Sequence, residues 1–204
     1  VVFKAGSGIN FIDNGTNDFY NVVFDSTGTY QLGRNLTIQN DLTIKSGILD
    51  VTASNYTLTV GGNWINRGTF LANSGRVVLN NTSASTKIIN SGSSAFYELR
   101  IEGGSNTVYQ IDSTNLNVDY RLSIVSGKLD LNSYTLNCGD GNGSDYLEVS
   151  GILEVDGNAH LKLGNNTAVN VQAGGRMRVV GADTLSIATV TNQGSGGTYS
   201  LTVN

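Results

Sequence analysis

Gly127-Lys-Leu-Asp-Leu131, Gly151-Ile-Leu-Glu-Val155 and Gly175-Arg-Met-Arg-Val179 repeat one pattern at a constant spacing (151 − 127 = 24 and 175 − 151 = 24). After each glycine, polar and apolar residues alternate, which is the period of a β-strand with one buried face. A constant period of this length is typical of repeat architectures, in which each unit buries its apolar face against the next. These three phrases therefore predict the fold, and we work outward from them.

Further strands accompany the glycine phrases. One precedes two of the glycines, namely Leu122-Ser-Ile-Val125 and Tyr146-Leu-Glu-Val149. Another follows in each unit: Tyr134–Cys138, His160–Leu163 and Thr184–Ile187. Three short strands and three turns per unit predict a parallel β-solenoid in which Gly127, Gly151 and Gly175 lie one above another.

Composition supports a single all-β domain over residues 1–204. The chain has 39% hydrophobic residues, 26 glycines and no proline. Proline cannot donate a ladder hydrogen bond, and glycine suits tight turns, so this composition fits stacked coils. No stretch carries apolar residues at helical spacing for long enough to predict a helix. At one strand spacing per coil, we expect about 8 or 9 coils and a height of roughly 40 Å.

Charge and cysteine content exclude several classes of function. The net charge is −4, only 14% of residues are charged, and no basic run is present, which argues against nucleic acid binding. The single cysteine, Cys138, permits neither an intrachain disulfide nor a cysteine metal site, and its alternation with Leu136 predicts a buried side chain. No apolar run is long enough to span a bilayer. The chain lacks a signal peptide and an initial Met, so we expect a processed secreted protein or a piece of a longer one.

A longer repeat overlies the single coil. The phrases at 41–51 and 56–64 return at 121–131 and 134–138. Gly47 recurs as Gly127 (127 − 47 = 80), and Phe19-Tyr20 recurs as Phe96-Tyr97 (96 − 19 = 77). This longer repeat predicts duplication of a block of several coils.

The same phrases resemble repeats of a known family. Stretches 42–51, 56–64, 66–70, 96–101 and 122–138 are similar to repeats in large surface-exposed and secreted bacterial proteins, especially those of the Bacteroidetes and neighbouring phyla. The resemblance covers about two thirds of the chain. It implies a right-handed parallel β-helix with an extracellular, adhesin-like or filament-forming role. The motifs specify architecture, and the resemblance brings no active site with it.

One stretch carries the residue types of a calcium site. Gly141-Asn-Gly-Ser-Asp-Tyr-Leu147 fits part of the calcium-binding β-roll repeat, with Asp140, Asn142 and Asp145 as candidate ligands. The β-roll shares each ion between successive repeats, and no second copy follows here. An ordinary Gly/Asp turn is therefore the preferred interpretation, and we expect no cofactor.

Other chemistry-bearing residues favour structural roles. His160 alternates with Leu161 and Leu163, which predicts a solvated outer position. No nucleophile motif accompanies His160. Asp50, Asp130 and Glu154, followed by Arg178, occupy one repeat position and predict an outward line of charge; charges spread evenly in this way more often serve solubility, so we expect no enzyme. The tyrosines are either sugar-stacking faces or covers over turns, the second being preferred: Tyr20, Tyr30, Tyr56, Tyr97, Tyr134, Tyr146 and Tyr199.

The two ends of the solenoid lack any sequence typical of a cap. A solenoid exposes an unpaired edge and a slice of its core at each end. We expect Val1, Val2 and Phe3 at one end, and Tyr199, Leu201 and Val203 at the other, to contact either another copy of the chain or further coils of the same chain. End-to-end assembly into a surface filament or stalk is the predicted function. A carbohydrate-binding adhesin module and, less favoured, a polysaccharide-active β-helix enzyme are the alternatives.

Overall fold

The computed structural model describes residues 1–142, 144–180, 189–192 and 200–203, and the last two segments by their backbone alone. Within these residues the regular secondary structure is entirely β-strand, with turns and loops between the strands and no helix. The strands are β1 (Val2–Phe3), β2 (Ile9–Ile12), β3 (Val22–Leu32), β4 (Leu36–Ile38), β5 (Leu42–Asp50), β6 (Leu58–Val60), β7 (Trp64–Asn66), β8 (Thr69–Leu71), β9 (Arg76–Leu79), β10 (Thr86–Asn90), β11 (Phe96–Glu102), β12 (Val108–Ile111), β13 (Leu116–Ser126), β14 (Lys128–Asp130), β15 (Thr135–Cys138), β16 (Tyr146–Val149), β17 (Ile152–Asp156), β18 (His160–Leu163), β19 (Ala168–Val171), β20 (Arg176–Val180), β21 (Thr189–Asn192) and β22 (Ser200–Val203).

The strands stack in three columns, and the described pairings are parallel. The first column consists of β1, the start of β3, the start of β5, β7, β10, β12, β14, β17 and β20. The second contains β2, the ends of β3 and β5, β8, the starts of β11 and β13, β15, β18 and β21. The third contains β4, β6, β9, the ends of β11 and β13, β16, β19 and β22. Nine levels in the first column give about eight full turns and a height of about 38 Å, which confirms the predicted β-solenoid with three strands per coil.

The length of a turn varies along the solenoid. Asp130, Glu154 and Arg178 are successive partners in the first column, and they keep the spacing of the glycine phrases. Earlier turns are shorter or longer: Val23 pairs with Thr43 (43 − 23 = 20), whereas Ile65 pairs with Asn90 (90 − 65 = 25). The difference lies at the corners, either in the turns between strands or in register shifts where a long strand passes a corner, as between Asp25 and Thr29 of β3.

The glycine column that the sequence predicts is confirmed, but its glycines serve two purposes. The amide of Ile152 donates to the Gly127 carbonyl (2.9 Å), and the amide of Arg176 donates to the Gly151 carbonyl (2.8 Å). Gly127 has a φ of 76°, which favours glycine. Gly151 and Gly175 are required for close approach instead. A Cβ at Gly151 would lie 2.6 Å from the Gly127 oxygen, and one at Gly175 would lie 2.0 Å from the Val149 oxygen.

The core runs along the axis, and its composition changes with height. Near the start, Phe24 and Tyr30 are fully buried with ring centroids 4.8 Å apart. At the fourth and fifth levels, the Trp64 ring packs against Phe70 and Phe96, with ring centroids 4.9 and 5.0 Å apart. Above these levels, apart from Tyr109, the buried apolar side chains of the described residues are aliphatic or Cys138: Ile111, Leu116, Val118, Leu122, Ile124, Leu129, Leu131, Leu136, Leu147, Val149, Leu153, Val155, Ala159, Leu161, Leu163, Val169 and Val171.

The long strands turn a different corner in each half of the molecule. In the lower turns, β3 and β5 run from the first column into the second. In the upper turns, β11 and β13 run between the second and third columns. The continuous ladder therefore shifts from one pair of solenoid faces to another.

The longer sequence repeat explains this shift. Gly47 opens the second-column strand of the third level, whereas Gly127 opens the first-column strand of the seventh. Phe19 lies in the third column of the first level, and Phe96 in the second column of the fifth. Both pairs are therefore separated by about three and two-thirds turns of coil. The repeated block is not a whole number of turns, so equivalent phrases occupy different corners.

Some predicted elements lie outside the described residues. They are the strand Thr184–Ile187 and Tyr199. Leu201 and Val203 fall within β22, for which only the backbone is described.

Candidate functional sites

The first candidate site is the lower edge of the solenoid, formed by β1 and β2. Each of these strands pairs with β3 on one side only. In β1 the Val1 carbonyl accepts from the Val23 amide (2.9 Å). In a parallel ladder, successive residues present their polar groups to alternate sides, so the N–H and C=O of Val2 point away from β3. Both groups are therefore available to another parallel strand.

Apolar side chains surround this edge. The exposed fractions are 58% for Val1, 54% for Val2, 63% for Ile9 and 75% for Phe11. By register, Val1 lies below the buried Val22 and so continues the core column. The sequence identified Val1 and Val2 as end residues but did not identify Ile9 and Phe11. The turn between β1 and β2 places Ile9 and Phe11 in the lowest coil, beside Val1 and Val2.

Phe3, the third predicted residue of this end, has a different role. It is partly buried and forms the floor of the aromatic core. Its ring is stacked on Phe24 (centroids 5.2 Å apart, planes 14° apart), and it contacts Phe19 and Tyr30 at 5.9 and 5.8 Å. An apolar ring thus closes the core while leaving an apolar surface below it.

The second candidate site is the loop with the calcium-like residues. Asp145 is almost fully buried, and its Oδ2 accepts from the Gly141 amide (2.9 Å). Asp140 accepts from the Asn142 amide through Oδ1 (3.0 Å) and from Asn142 Nδ2 through Oδ2 (2.6 Å). These are the contacts of a turn that bonds to itself. Among the described residues, no group of three or more His, Cys, Asp or Glu side chains is arranged to hold a metal ion.

A third carboxylate, Asp119, adjoins this loop from the turn below. The Asp140 amide donates to the Asp119 carbonyl (2.9 Å). Partial burial, together with the charges of Asp140 and Asp145, raises the pKa of Asp119. Burial is also the main reason that the pKa of Asp145 is raised, an effect that the hydrogen bond from Gly141 opposes. The sequence did not predict this group, because Asp119 precedes Asp140 by a whole turn of coil.

The charged line on the outer face is shorter than predicted. Asp130, Glu154 and Arg178 are stacked in register. Lys128 Nζ lies 3.1 Å from Asp130 and 2.6 Å from Glu154, while Arg178 lies 2.9 Å from Glu154. Burial lowers the pKa of Lys128, but its hydrogen bonds to Glu154 and Asp130 outweigh burial and leave that pKa raised. These carboxylates are mostly covered, with side-chain exposures of 10% for Asp130 and 13% for Glu154, and the basic side chains neutralise them, an arrangement that suits cohesion between turns.

Asp50 is not part of this line, contrary to the prediction. It belongs to the second column and is nearly buried. Its carboxylate accepts from Gln31 Nε2 (2.9 Å), from the Thr52 amide (2.7 Å) and from Asn73 Nδ2 (2.7 Å). The reason is the non-integral repeat, which places the phrase containing Asp50 at a different corner from the phrase containing Asp130.

The tyrosines divide into core and surface groups. Tyr30 is buried, so its prediction as a turn cover was wrong; its hydroxyl lies 3.0 Å from Ser26 Oγ and accepts from the Ala5 amide (2.9 Å). Tyr109, which the sequence did not single out, is also buried, and burial raises its pKa to about 12. Tyr20 is exposed. Tyr97 stacks on Tyr120, with centroids 5.0 Å apart and planes 21° apart.

The remaining single-residue predictions have clear outcomes. Cys138 is fully buried, as predicted, and burial raises the pKa of its thiol to about 12. His160 lies on the outer side of β18, as its alternation predicts, but it is half-buried rather than freely solvated. Trp64 is buried in the core.

Comparison with known proteins gives no relative for this chain: no family model, curated protein or solved structure matches it. Within its described residues, the structure contains no helix of a length and apolarity that would cross a membrane. The class of protein is therefore defined by the fold itself, a parallel β-solenoid built from sequence repeats.

Proposed function

We propose that this chain is a structural β-solenoid of the extracellular space that joins end to end with like coils, forming part of a surface filament or stalk. The observation that carries the proposal is the open lower edge. There, two strands with free backbone groups are flanked by the exposed apolar side chains of Val1, Val2, Ile9 and Phe11.

Backbone geometry favours a parallel strand as the occupant of this edge. A strand with unpaired N–H and C=O groups is a template for strand addition. The ladders above it are parallel and in register, so a further coil continues both the hydrogen bonds and the core column without a change of geometry. Such a coil comes either from a second copy or from further repeats of the same chain. A head-to-tail contact of this type does not close on itself and produces a linear polymer.

The outer surface supports a mechanical role more than a catalytic one. The ion pairs Arg76–Glu98 (3.0 Å), Arg121–Glu148 (3.1 Å) and Lys128–Glu154 (2.6 Å) link one turn to the next along the axis. Each neutralises charges on adjacent turns, and none leaves a carboxylate pair facing across a cleft. These ion pairs therefore favour the structural role over the polysaccharide-active enzyme, and sugar binding is considered separately below.

Electron microscopy and light scattering of the purified 204-residue chain over a range of concentrations test the proposal. We expect rods whose length grows with concentration in steps of about 40 Å. The variant Val2→Pro removes the free amide donor without breaking the bond from Val23 to Val1, and we expect it to reduce rod formation at least about tenfold.

Val2→Thr is the matched control, because it keeps the β-branched shape and the donor. Its rods should resemble those of the unmodified chain. Monomers alone at every concentration, or equal assembly by Val2→Pro and Val2→Thr, would rule out joining through this edge.

A further inference from the structure

A cleft at the corner between the second and third columns has the features of a small binding site. Its volume is about 270 Å³, and it is lined by Tyr120, Arg121, Ser144 and Tyr146. The residues come from consecutive turns, since Arg121 and Tyr146 are register partners in β13 and β16. The cleft therefore combines two aromatic rings, a guanidinium and a hydroxyl from two adjacent turns of coil.

The aromatic and cationic groups are held in place before any ligand arrives. Tyr97, one turn below, stacks against Tyr120. The Arg121 guanidinium lies 5.2 Å from the centre of the Tyr146 ring, its Nε donates to Ser123 Oγ (3.1 Å), and it forms an ion pair with Glu148 (3.1 Å). The Tyr146 hydroxyl accepts from Asn170 Nδ2 (3.0 Å). Such support reduces the entropy lost when a ligand is ordered against these side chains.

The charges around the cleft select against an anion. Arg121 is already neutralised by Glu148, and Asp119 and Asp145 directly precede Tyr120 and Tyr146 in the sequence. Asp119, Asp140 and Asp145 lie close enough to one another for their charges to interact. An anionic ligand would add to this negative potential, whereas hydroxyl groups can donate to carboxylates and accept from a guanidinium.

We propose that this cleft binds a neutral hexose unit of an oligosaccharide. A hexose ring has a face of C–H groups that packs on a tyrosine ring and a rim of hydroxyls that matches Arg121 and Ser144. This site goes beyond the proposed structural role, and its test uses single molecules in solution.

Isothermal titration with neutral hexasaccharides tests the site. The probes are β-1,4-linked glucose, β-1,3-linked glucose and β-1,4-linked mannose, with a galacturonic acid hexamer as the anionic comparison. We expect saturable binding of at least one neutral probe and none of the acidic one. Tyr120→Ala should weaken binding by about tenfold, as loss of a stacking face predicts, whereas Tyr120→Phe should bind within about twofold of the original.

Tyr56→Ala is the control, because Tyr56 is also a partly buried tyrosine but lies outside the cleft. It should bind the probe as the unmodified chain does, and circular dichroism verifies that each variant is folded. The proposal is overturned if no neutral probe binds, if the acidic hexamer binds more tightly, or if Tyr120→Ala and Tyr56→Ala lose affinity equally. Because binding is measured below the concentration of assembly, failure of this site and failure of end-to-end joining are separate results.

Discussion

The lower and upper halves of this solenoid are built on the same three columns but hold their turns together differently. In the lower half, aromatic rings, from Phe3 and Phe24 to Trp64 and Phe70, pack among aliphatic side chains such as Leu42. In the upper half, Leu, Ile and Val side chains dominate the core, and among the described residues Tyr109 is the buried aromatic one. The turns of the lower half differ in length from one to the next, whereas the last two turns are equal. The two turns below these still differ, since Ile89 pairs with Ile111 (111 − 89 = 22) and Gln110 pairs with Asp130 (130 − 110 = 20), so equal turns are confined to the last levels.

This difference indicates that column register and core filling are separate requirements. Parallel hydrogen bonds require only that each strand lies above the previous one. The interior, by contrast, must be filled at high density, whichever side chains are available. A turn with a large ring at one corner therefore needs smaller groups elsewhere. The phrases of the longer sequence repeat can shift by a third of a turn, from one column to the next, without loss of the fold.

Of the substitutions that test this comparison, Trp64→Ala should lower the free energy of unfolding most. The side chain is buried, it contacts Phe70 and Phe96, and it joins the lower half to the fifth level. We expect a loss of about 3–5 kcal/mol in unfolding free energy, measured by denaturant titration. Trp64→Phe should cost less, because the indole Nε1 has no hydrogen-bond partner within the described structure. Leu153→Ala in the upper half is the matched aliphatic change. If Leu153→Ala lowers the free energy of unfolding more than Trp64→Ala does, the aromatic cluster of the lower half does not contribute more to stability than the aliphatic core of the upper half.

Gly151→Ala tests the close approach of turns in the upper half. The new Cβ would lie 2.6 Å from the Gly127 carbonyl oxygen, so the two turns must move apart. We expect a loss of about 1–3 kcal/mol, measured by thermal or denaturant unfolding. Gly6→Ala in the lower half is the control, since a Cβ there meets no atom within 4 Å. Equal stability of the two variants would mean that the glycine column reflects turn conformation alone.

Asp119→Asn should have the smallest effect and should depend on pH. The pKa of Asp119 is raised by burial and by the charges of Asp140 and Asp145, so its ionised form destabilises the folded state. The penalty is present above the folded-state pKa and disappears as the pH falls toward the unfolded value of 3.8. We expect Tm to rise by about 1–2 °C at pH 7, a small change because solvent screens the site, and to be unchanged near pH 3.5.

Asp18→Asn, in the lower half, removes the same charge away from this cluster and is the control. A stabilisation by Asp119→Asn that is equally large at pH 3.5, or that Asp18→Asn reproduces, would show that repulsion among the three carboxylates is not its cause.

The candidate sites could be predicted from the sequence only in part. Val1 and Val2 were identified as edge residues because any solenoid exposes its first strand. Ile9 and Phe11, Asp119, and the cleft shared by Tyr120 and Tyr146 could not be identified. Each depends on which residues one turn apart become neighbours, and turns of unequal length hide that spacing.

What the sequence determined by itself is the nature of the stack: alternation chose the inward and outward side chains, the absence of proline permitted continuous ladders, and the constant spacing of the glycine phrases placed Gly127, Gly151 and Gly175 in a column. Only the tertiary structure decided which corner each phrase occupies. Alternation distinguishes the two faces of a strand. It does not say which of the three columns of the coil the strand occupies. The choice among them depends on the accumulated length of all preceding turns, so Gly47 and Gly127 share a phrase but not a column.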